Sequence, residues 1–362
     1  MSAVLRAGDG PAPRSPAALQ RQRRRRVIAG AALLLALCFA LAAGSGAYAI
    51  TPGRLLQLLG AWLTGQSDGS PEALVFTQIR LPRLLLGMVA GAGLGIAGAV
   101  MQGMFRNPLA DPGLVGVSSG AALAAGLTIV LGASSLPWLP RALGSWTLVL
   151  TAFAGGLAVT ALIYRLARSE GGTRMALMLL AGIAINALAG AGLGFLSVIA
   201  TDEQLRSLQF WLLGSLGGGR WSALALVGPL VLGACALALR LAGPLNALAL
   251  GEAQAHLLGV DVEAVKRRAI ALTACAVGAV TATTGVIGFI GLVAPHAVRL
   301  AAGPDHRVVL PAAGLVGAAL VLAADAVART AMAPAELPLG VLTAALGVPA
   351  FLWMLRRFRG RV

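Results

Sequence analysis

The sequence predicts an all-α polytopic membrane protein that crosses the bilayer about ten times. Of its 362 residues, 58% are hydrophobic and only 11% are charged, and the mean hydropathy is +0.86. A soluble domain carries about 25% charged residues, so this chain has too little polar surface to remain in water. A spanning helix needs about 20 apolar residues, and the chain is long enough for about ten spans joined by short loops.

Ten apolar runs are the predicted spans. They cover residues 27–50, 80–103, 114–133, 145–165, 175–199, 221–240, 269–286, 289–301, 308–328 and 338–356. Glycines interrupt the seventh and eighth runs, which are therefore the least regular. The first run follows a basic patch and ends near an Ala-x-Ala-like site, as a signal peptide does, but it exceeds the usual apolar core of 7–15 residues. Its length favours a retained first span.

The basic residues predict the orientation, because arginine and lysine in short loops stay in the cytoplasm. If the first span starts inside, both chain ends and every predicted inner loop carry basic residues. We therefore predict a disordered basic cytoplasmic tail over residues 1–26, a transmembrane domain over 27–358 and a cytoplasmic C-terminus over 359–362. The net charge of +15 is then explained by membrane orientation, and nucleic acid is not an expected partner.

Several sequence motifs of energy conversion and catalysis are absent. No phosphate-binding G-x-x-x-x-G-K-[ST] loop and no H-E-x-x-H metal motif occur. Almost every carboxylate lies in a predicted loop; Asp325, at a span end, is four residues from Arg329 and is expected to be its helical partner. Cys38, Cys235 and Cys275 have no metal or redox spacing. We expect a chain that is not an enzyme, holds no metal or permanent cofactor, and either takes its energy from another protein or conducts passively.

One predicted inner loop, residues 241–268, has the pattern of a docking element. It predicts a short helix from about Ala249 to Leu258 with Glu252 in its first turn, where negative charge is favoured, and Gly259 as its C-terminal cap. Leu250, Ala253 and Leu257 can form one apolar face. Such a helix can lie on lipid or dock in a partner's groove, and the interleaved acidic residues favour the partner.

Six segments, in order over about residues 50–358, resemble a known family. They are RLPRLLLG, MFRNPLADPGLVGVSSGAAL, FWLLGSLGG, LNALALGEAQAHLLGV, GFIGLVAPHAVRLAAGPDHR and AELPLGVLTAALGVPAFLW. The chain resembles the permease subunit of the FecCD-type iron-chelate, haem and cobalamin ABC importers of the bacterial inner membrane. The resemblance implies a type II ABC importer permease fold. The expected assembly is a homodimer around a central path, with two cytoplasmic ATPase subunits that bind ATP-Mg and one periplasmic binding protein.

The resemblance also implies site residues. Arginines at the outer ends of two spans are expected to meet acidic residues of the binding protein: Arg80, Arg83 and Arg329. The inner loop is expected to enter a cleft of the ATPase through Gly251, Glu252, Ala253, His256, Leu257, Leu258 and Gly259. His296 and His306 are interpreted as structural residues, although two histidines in one segment could also suggest ligands of haem.

Cargo and path are predicted on weaker grounds. The amino-acid sequences of two segments resemble haem importers more than cobalamin importers. Haem is therefore the expected cargo, with a ferric siderophore and then cobalamin as alternatives. Arg206, near two aromatic residues, could receive haem propionates or pair with Asp202. Asn186 could contact cargo or join helices. Gln102 and Thr173 complete the predicted path, with the gate near Thr173.

Overall fold

The computed structural model describes residues 16–46, 50–66, 69–135 and 144–359, and these fold almost entirely as helices. In chain order the helices are α1 (Pro16–Gly44), α2 (Pro52–Thr64), α3 (Pro71–Leu74), α4 (Leu81–Met104), α5 (Val117–Ser135), α6 (Thr147–Ala167), α7 (Met175–Ile199), α8 (Asp202–Leu213), α9 (Trp221–Leu239), α10 (Ala242–Ala249), α11 (Glu252–Leu257), α12 (Val262–Thr284), α13 (Ile290–Ala302), α14 (His306–Thr330) and α15 (Leu339–Arg359). A π-helical turn, Val75–Arg80, leads into α4, and 3₁₀ turns cover Pro112–Val115 and Gly144–Trp146. Two short antiparallel strands, β1 (Arg168–Ser169) and β2 (Gly172–Thr173), form a hairpin.

A helix lies at each predicted span position, which confirms the all-α polytopic fold. Within the described residues, six helical segments are long and apolar enough to cross a bilayer, and three shorter helices are also apolar. The helix α12 is in neither group, because its first turns carry a cluster of charges that includes Lys266. The number of spans therefore stays a prediction.

The N-terminal boundary differs from the prediction. Residues 16–26, assigned to a disordered tail, form the first turns of α1, whereas residues 1–15 lie outside the described part of the chain. Arginine is a good helix former, and the Arg23 guanidinium donates to the Ala301 carbonyl at 2.8 Å, which ties this end of α1 to α13. The helix therefore continues beyond the apolar run.

The centre of the bundle is α4, which packs closely against α13 and α14. A Cβ added at Gly91 would collide with the backbone of Gly317, and one at Gly95 with the carbonyl of Ala313. Gly98 approaches Gly291 of α13 in the same way. Glycines at helical spacing let helix backbones approach this closely, so the small-residue stripe of α4 is a packing surface.

The two ends of the bundle carry different polar clusters. Arg83, at the start of α4, lies at the same end as the C-terminal turns of α1 and α14, and this is called the Arg83 end. Lys266, near the start of α12, lies at the opposite end with α10, α11 and the β-hairpin, and this is called the Lys266 end.

Candidate functional site

The predicted docking loop is helical, but a break interrupts the predicted helix. Its residues fall into α10, which ends at Ala249, and α11, which begins at Glu252. Gly251 between them has φ +122°, a conformation that favours glycine. Glu252 occupies the first turn as predicted. Gly259, with φ +78°, donates its N–H to the His256 carbonyl and caps the helix as predicted. The prediction of one helix from Ala249 is therefore wrong only at its start.

Three leucines of this loop are exposed. Leu257 is 89% exposed, and Leu250 and Leu258 are also well exposed. Ala253, His256 and Gly259 lie on the same exposed segment. Contiguous exposed apolar surface is common at interaction sites. We call Leu250, Ala253, His256, Leu257, Leu258 and Gly259 the leucine surface. Two other predicted contact residues are not part of it, because Gly251 is buried and Glu252 is directed toward α12.

Lys266 connects the docking loop to the β-hairpin. Its Nζ donates to the Glu252 Oε2 of α11 at 2.8 Å and to the carbonyl oxygen of Thr173 in β2 at 2.9 Å. The Lys266 side chain is only 5% exposed, whereas that of Glu252 is 43% exposed. A buried ammonium group needs such partners, because burial without them costs several kcal/mol. The two contacts therefore fix α11 relative to the hairpin.

Glu263, one turn before Lys266 on α12, also binds Thr173 of β2. Its carboxylate accepts hydrogen bonds from the Thr173 N–H at 2.9 Å, from the Thr173 hydroxyl and from the Tyr164 hydroxyl at 3.1 Å. Burial alone would raise the pKa of Glu263, but these hydrogen bonds and the Lys266 charge lower it overall. Glu263 is therefore ionised at neutral pH, and it fixes Thr173 to α12 and α6.

The group formed by Tyr164, Thr173, Glu252, Glu263 and Lys266 is called the Lys266 cluster. In this cluster, Lys266 bonds to both Glu252 and Thr173. It therefore connects Glu252, a predicted ATPase contact, with Thr173, a predicted gate residue. The sequence reasoning named neither Glu263 nor Lys266 as site residues. One signal was available, since Lys266 is the only lysine in an arginine-rich chain. The arrangement can transmit a displacement of α11 to the hairpin.

At the Arg83 end, a buried carboxylate joins two arginines. Arg83 Nη2 lies 2.8 Å from Asp325 Oδ1, and Arg329 Nε lies 3.0 Å from Asp325 Oδ2. Asp325 is 1% exposed. Arg83 also forms a bidentate pair with Glu336, at 2.9 Å for both bonds, and the Glu336 side chain is 45% exposed. The expected helical pair of Asp325 with Arg329 is confirmed, and Arg83 is an additional partner.

The other contacts of these arginines are with α1. Arg80 Nη1 donates to the Ala43 carbonyl at 2.9 Å, and Arg329 donates to the carbonyls of Ala42 and Ser45 at 2.9 and 3.2 Å. These carbonyls lie at the C-terminal end of α1, where intrahelical donors are missing. The three predicted docking arginines are therefore brought together, with Arg80 buried and the other two mostly covered. In this structure they hold α1, α4 and α14 to one another.

The predicted path residues lie in separate places. Asn186 on α7 accepts a hydrogen bond from Ser119 and donates to the Gly113 carbonyl, so it joins helices, as one of the two interpretations expected. Gln102 is buried and donates to the Leu292 carbonyl at 3.2 Å. Thr173 belongs to the Lys266 cluster. These three contacts give Asn186, Gln102 and Thr173 structural roles within the chain.

Arg206 is exposed on α8 at the Arg83 end. Its Nε lies 3.4 Å from the backbone carbonyl of Asp202, and within the described residues no salt bridge joins it to the Asp202 carboxylate. A capping box formed by Thr201 and Gln204 fixes the start of this helix. The guanidinium group is therefore accessible to a ligand or partner.

His306 is held inside the protein. Its Nδ1 lies 2.8 Å from Asn246 Oδ1, and its Nε2 lies 3.4 Å from Arg299 Nη2. Both nitrogens of the imidazole therefore face protein groups. These contacts agree with the structural interpretation of this histidine.

Known proteins resemble the chain over most of its length. It is 50% identical over 298 residues to the hemin transport system permease of Yersinia pestis, covering 82% of this chain and 87% of that one. It is 40% identical over 343 residues to the vitamin B12 import system permease of Klebsiella pneumoniae, covering 95% and 97%. A solved ABC transporter of the metal-chelate type, in an inward-facing conformation, matches with a TM-score of 0.79 and 32% identity, covering 92% of this chain and 99% of that one. The profile of the FecCD transport family matches residues 33–357, and the chain belongs to this family of ABC importer permeases.

Proposed function

We propose that this permease carries haem from a periplasmic binding protein into the bacterial cytoplasm. The observation that supports haem most is the 50% identity to the hemin permease of Yersinia pestis, against 44% and 40% to the cobalamin import permeases of Halobacterium salinarum and Klebsiella pneumoniae. Arg206 adds a chemical reason, because an exposed guanidinium can pair with a propionate by charge-assisted hydrogen bonds. A ferric siderophore and cobalamin are the alternative cargoes.

The proposed assembly contains two copies of this chain, two ATPase subunits that bind ATP-Mg, and one binding protein. The Lys266 end faces the cytoplasm and the Arg83 end faces the periplasm, so that both chain ends are cytoplasmic. We propose that the two copies meet around a central path at α7, on which Leu180, Ile183, Leu188 and Phe195 are exposed. A second copy or lipid must cover such a surface.

Binding-protein docking is proposed at the Arg83 end. Asp325 and Glu336 already pair with Arg83 in the free chain, so an acidic lobe of the binding protein would compete with them. Glu336 is the more exposed of the two, and we expect it to be the group that such a lobe displaces from Arg83. Arg80 and Arg329, whose guanidinium groups bind backbone carbonyls of α1, would contribute mainly through their positive charge, which speeds association.

ATPase docking is proposed at the leucine surface. Replacing Leu257 by glutamate should abolish co-purification of the ATPase, because a charge would enter an apolar contact. Folding should be unaffected, since Leu257 is 89% exposed. Leu63→Glu is the matched control, because Leu63 is 75% exposed on α2 at the other end of the bundle. Equal recovery of the ATPase with both variants would contradict the assignment.

Cargo is tested by uptake into proteoliposomes that contain this chain, its ATPase and its binding protein. Haem, a ferric siderophore and cobalamin are supplied in parallel. We expect haem uptake, with a decrease of at least about tenfold in Arg206→Ala, since one charge-assisted hydrogen bond contributes about 1.5–3 kcal/mol and 1.4 kcal/mol is a factor of ten. Arg220→Ala is the control, because Arg220 is also exposed at this end. Uptake of cobalamin or the siderophore without haem would refute haem as cargo.

A further inference from the structure

A cleft at the Lys266 end collects positive charge from two distant parts of the chain. Its volume is about 830 Å³, and its lining includes Arg21, Arg23 and Arg24 of α1 and Arg307 of α14. One acid, Asp305, also lines it. Its carboxylate already accepts hydrogen bonds from Asn246 Nδ2 at 2.7 Å and from the Arg307 N–H at 3.0 Å. The cleft therefore has a surplus of three positive charges.

The arginines of the cleft are available to a ligand. Arg21, Arg24 and Arg307 are exposed, and within the described residues none of the three forms a salt bridge. Arg23 is bonded to the Ala301 carbonyl, which holds α1 beside α13 and keeps one wall of the cleft in place. Clustered like charges repel one another unless an anion lies between them. Asp305, whose charge interacts with those of Arg24 and Arg307, offsets only one of the four arginine charges, so the cleft still favours a group with negative charge.

A second cavity adjoins the first and is mostly apolar. It has a volume of about 320 Å³ and shares Arg24 and Arg307 with the cleft. Its other lining residues include Ile28, Leu239 and Pro311. Ile28 and Pro311 lie four residues beyond Arg24 and Arg307, which is about one helical turn further into the apolar segments. Charge and apolar surface therefore follow one another along the same two helices.

We propose that an anionic phospholipid binds here, with its headgroup phosphate among the arginines of the cleft and the start of an acyl chain in the apolar cavity. Basic pockets between helices at the cytoplasmic membrane surface bind anionic headgroups. The adjoining apolar cavity favours a lipid over free phosphate, because free phosphate has no acyl chain to bury there. Leu250 of the leucine surface also lines the cleft, so the lipid lies beside the proposed ATPase contact.

The proposal uses the proposed orientation only to choose the cytoplasmic leaflet. Native mass spectrometry of the purified chain in detergent tests it with phosphatidylglycerol, phosphatidylcholine and inorganic phosphate as probes. We expect phosphatidylglycerol to bind at least about tenfold more tightly than phosphatidylcholine. The measurement needs neither ATP nor cargo, so failure of the lipid site and failure of haem import are separate results.

Two double variants with the same change in charge distinguish lipid binding in the cleft from non-specific attraction of the lipid to a positively charged helix. Arg24→Gln with Arg307→Gln removes both arginines shared by the two cavities and should weaken phosphatidylglycerol binding at least about tenfold. Arg25→Gln with Arg26→Gln changes the same helix outside the cleft and should weaken it less than about twofold. Equal losses in both pairs, or full competition by inorganic phosphate, would overturn the proposal. Loss of ATPase co-purification with unchanged lipid binding would assign the cleft to the ATPase instead.

Discussion

The Asp325→Asn variant is expected to be about 3–5 kcal/mol less stable than the wild-type chain. Asp325 is 1% exposed and pairs with both Arg83 and Arg329. Removing one partner of a buried ion pair leaves an uncompensated charge, which costs about 3–5 kcal/mol. Here the change leaves two covered guanidinium groups without that carboxylate, at the point where α4 meets α14. Thermal unfolding of the purified protein in detergent measures the effect.

Glu336→Gln is the matched control for Asp325→Asn. It removes a carboxylate from the same arginine, Arg83, but the Glu336 side chain is 45% exposed. Exposed ion pairs contribute about 0–1 kcal/mol, so the free energy of unfolding should change little in Glu336→Gln. The hydrogen bonds from Arg83 lower the pKa of Glu336, and the charges of Arg83 and Arg329 lower it further. Burial acts in the opposite direction but is outweighed. Equal stability of Asp325→Asn and the wild type would show that Asp325 does not hold this end together.

With Lys266→Met in this chain, the reconstituted assembly is expected to keep ATP hydrolysis by its ATPase subunits but to lose at least about tenfold in uptake. Methionine removes both hydrogen bonds of Lys266, to Glu252 in α11 and to the Thr173 carbonyl in β2. A hydrogen bond to a charged group contributes about 1.5–3 kcal/mol, and 1.4 kcal/mol is a factor of ten in an equilibrium. Without them, a displacement of α11 by the ATPase would no longer move the hairpin.

Arg268→Met is the control for Lys266→Met. It removes a positive charge two residues away on the same helix, where the side chain is exposed, so uptake should stay within about twofold. The two quantities to measure are ATP hydrolysis and uptake in the same proteoliposomes. If Lys266→Met takes up cargo at the wild-type rate, the Lys266 cluster does not couple the docking loop to the gate.

The helices could be predicted from the sequence because the determining signal is local. Apolar runs gave helices close to the predicted bounds, and Gly259 ended α11 as its position predicted. The helix α2 was missed, although its signals are present: Thr51 caps its start and accepts from the Arg54 N–H, and Gly65 ends it with φ +71°. Its amphipathic pattern is too short for a span, so a search for apolar runs passes over it.

The polar clusters could not be predicted, because they depend on contacts between distant residues. Arg83 and Asp325 are separated by 242 positions, and Lys266 and Thr173 by 93. The sequence placed Arg83 and Arg329 at one end, but it could not show that Asp325 lies between them. It assigned Glu252 to the ATPase, but it could not show that the Glu252 carboxylate also pairs with Lys266. Single residues were recognised, but their partners were not, except for the local pair of Asp325 with Arg329.

The most direct test of the central claim is the ATP dependence of uptake in proteoliposomes. The chain would be reconstituted with its ATPase and binding protein and loaded with either ATP or a non-hydrolysable analogue. If this permease is driven through its docking loop, cargo accumulates only with ATP, and Leu257→Glu abolishes accumulation. Accumulation with the analogue, or by the chain alone, would contradict the proposed energy source and identify a passive or ion-driven pathway.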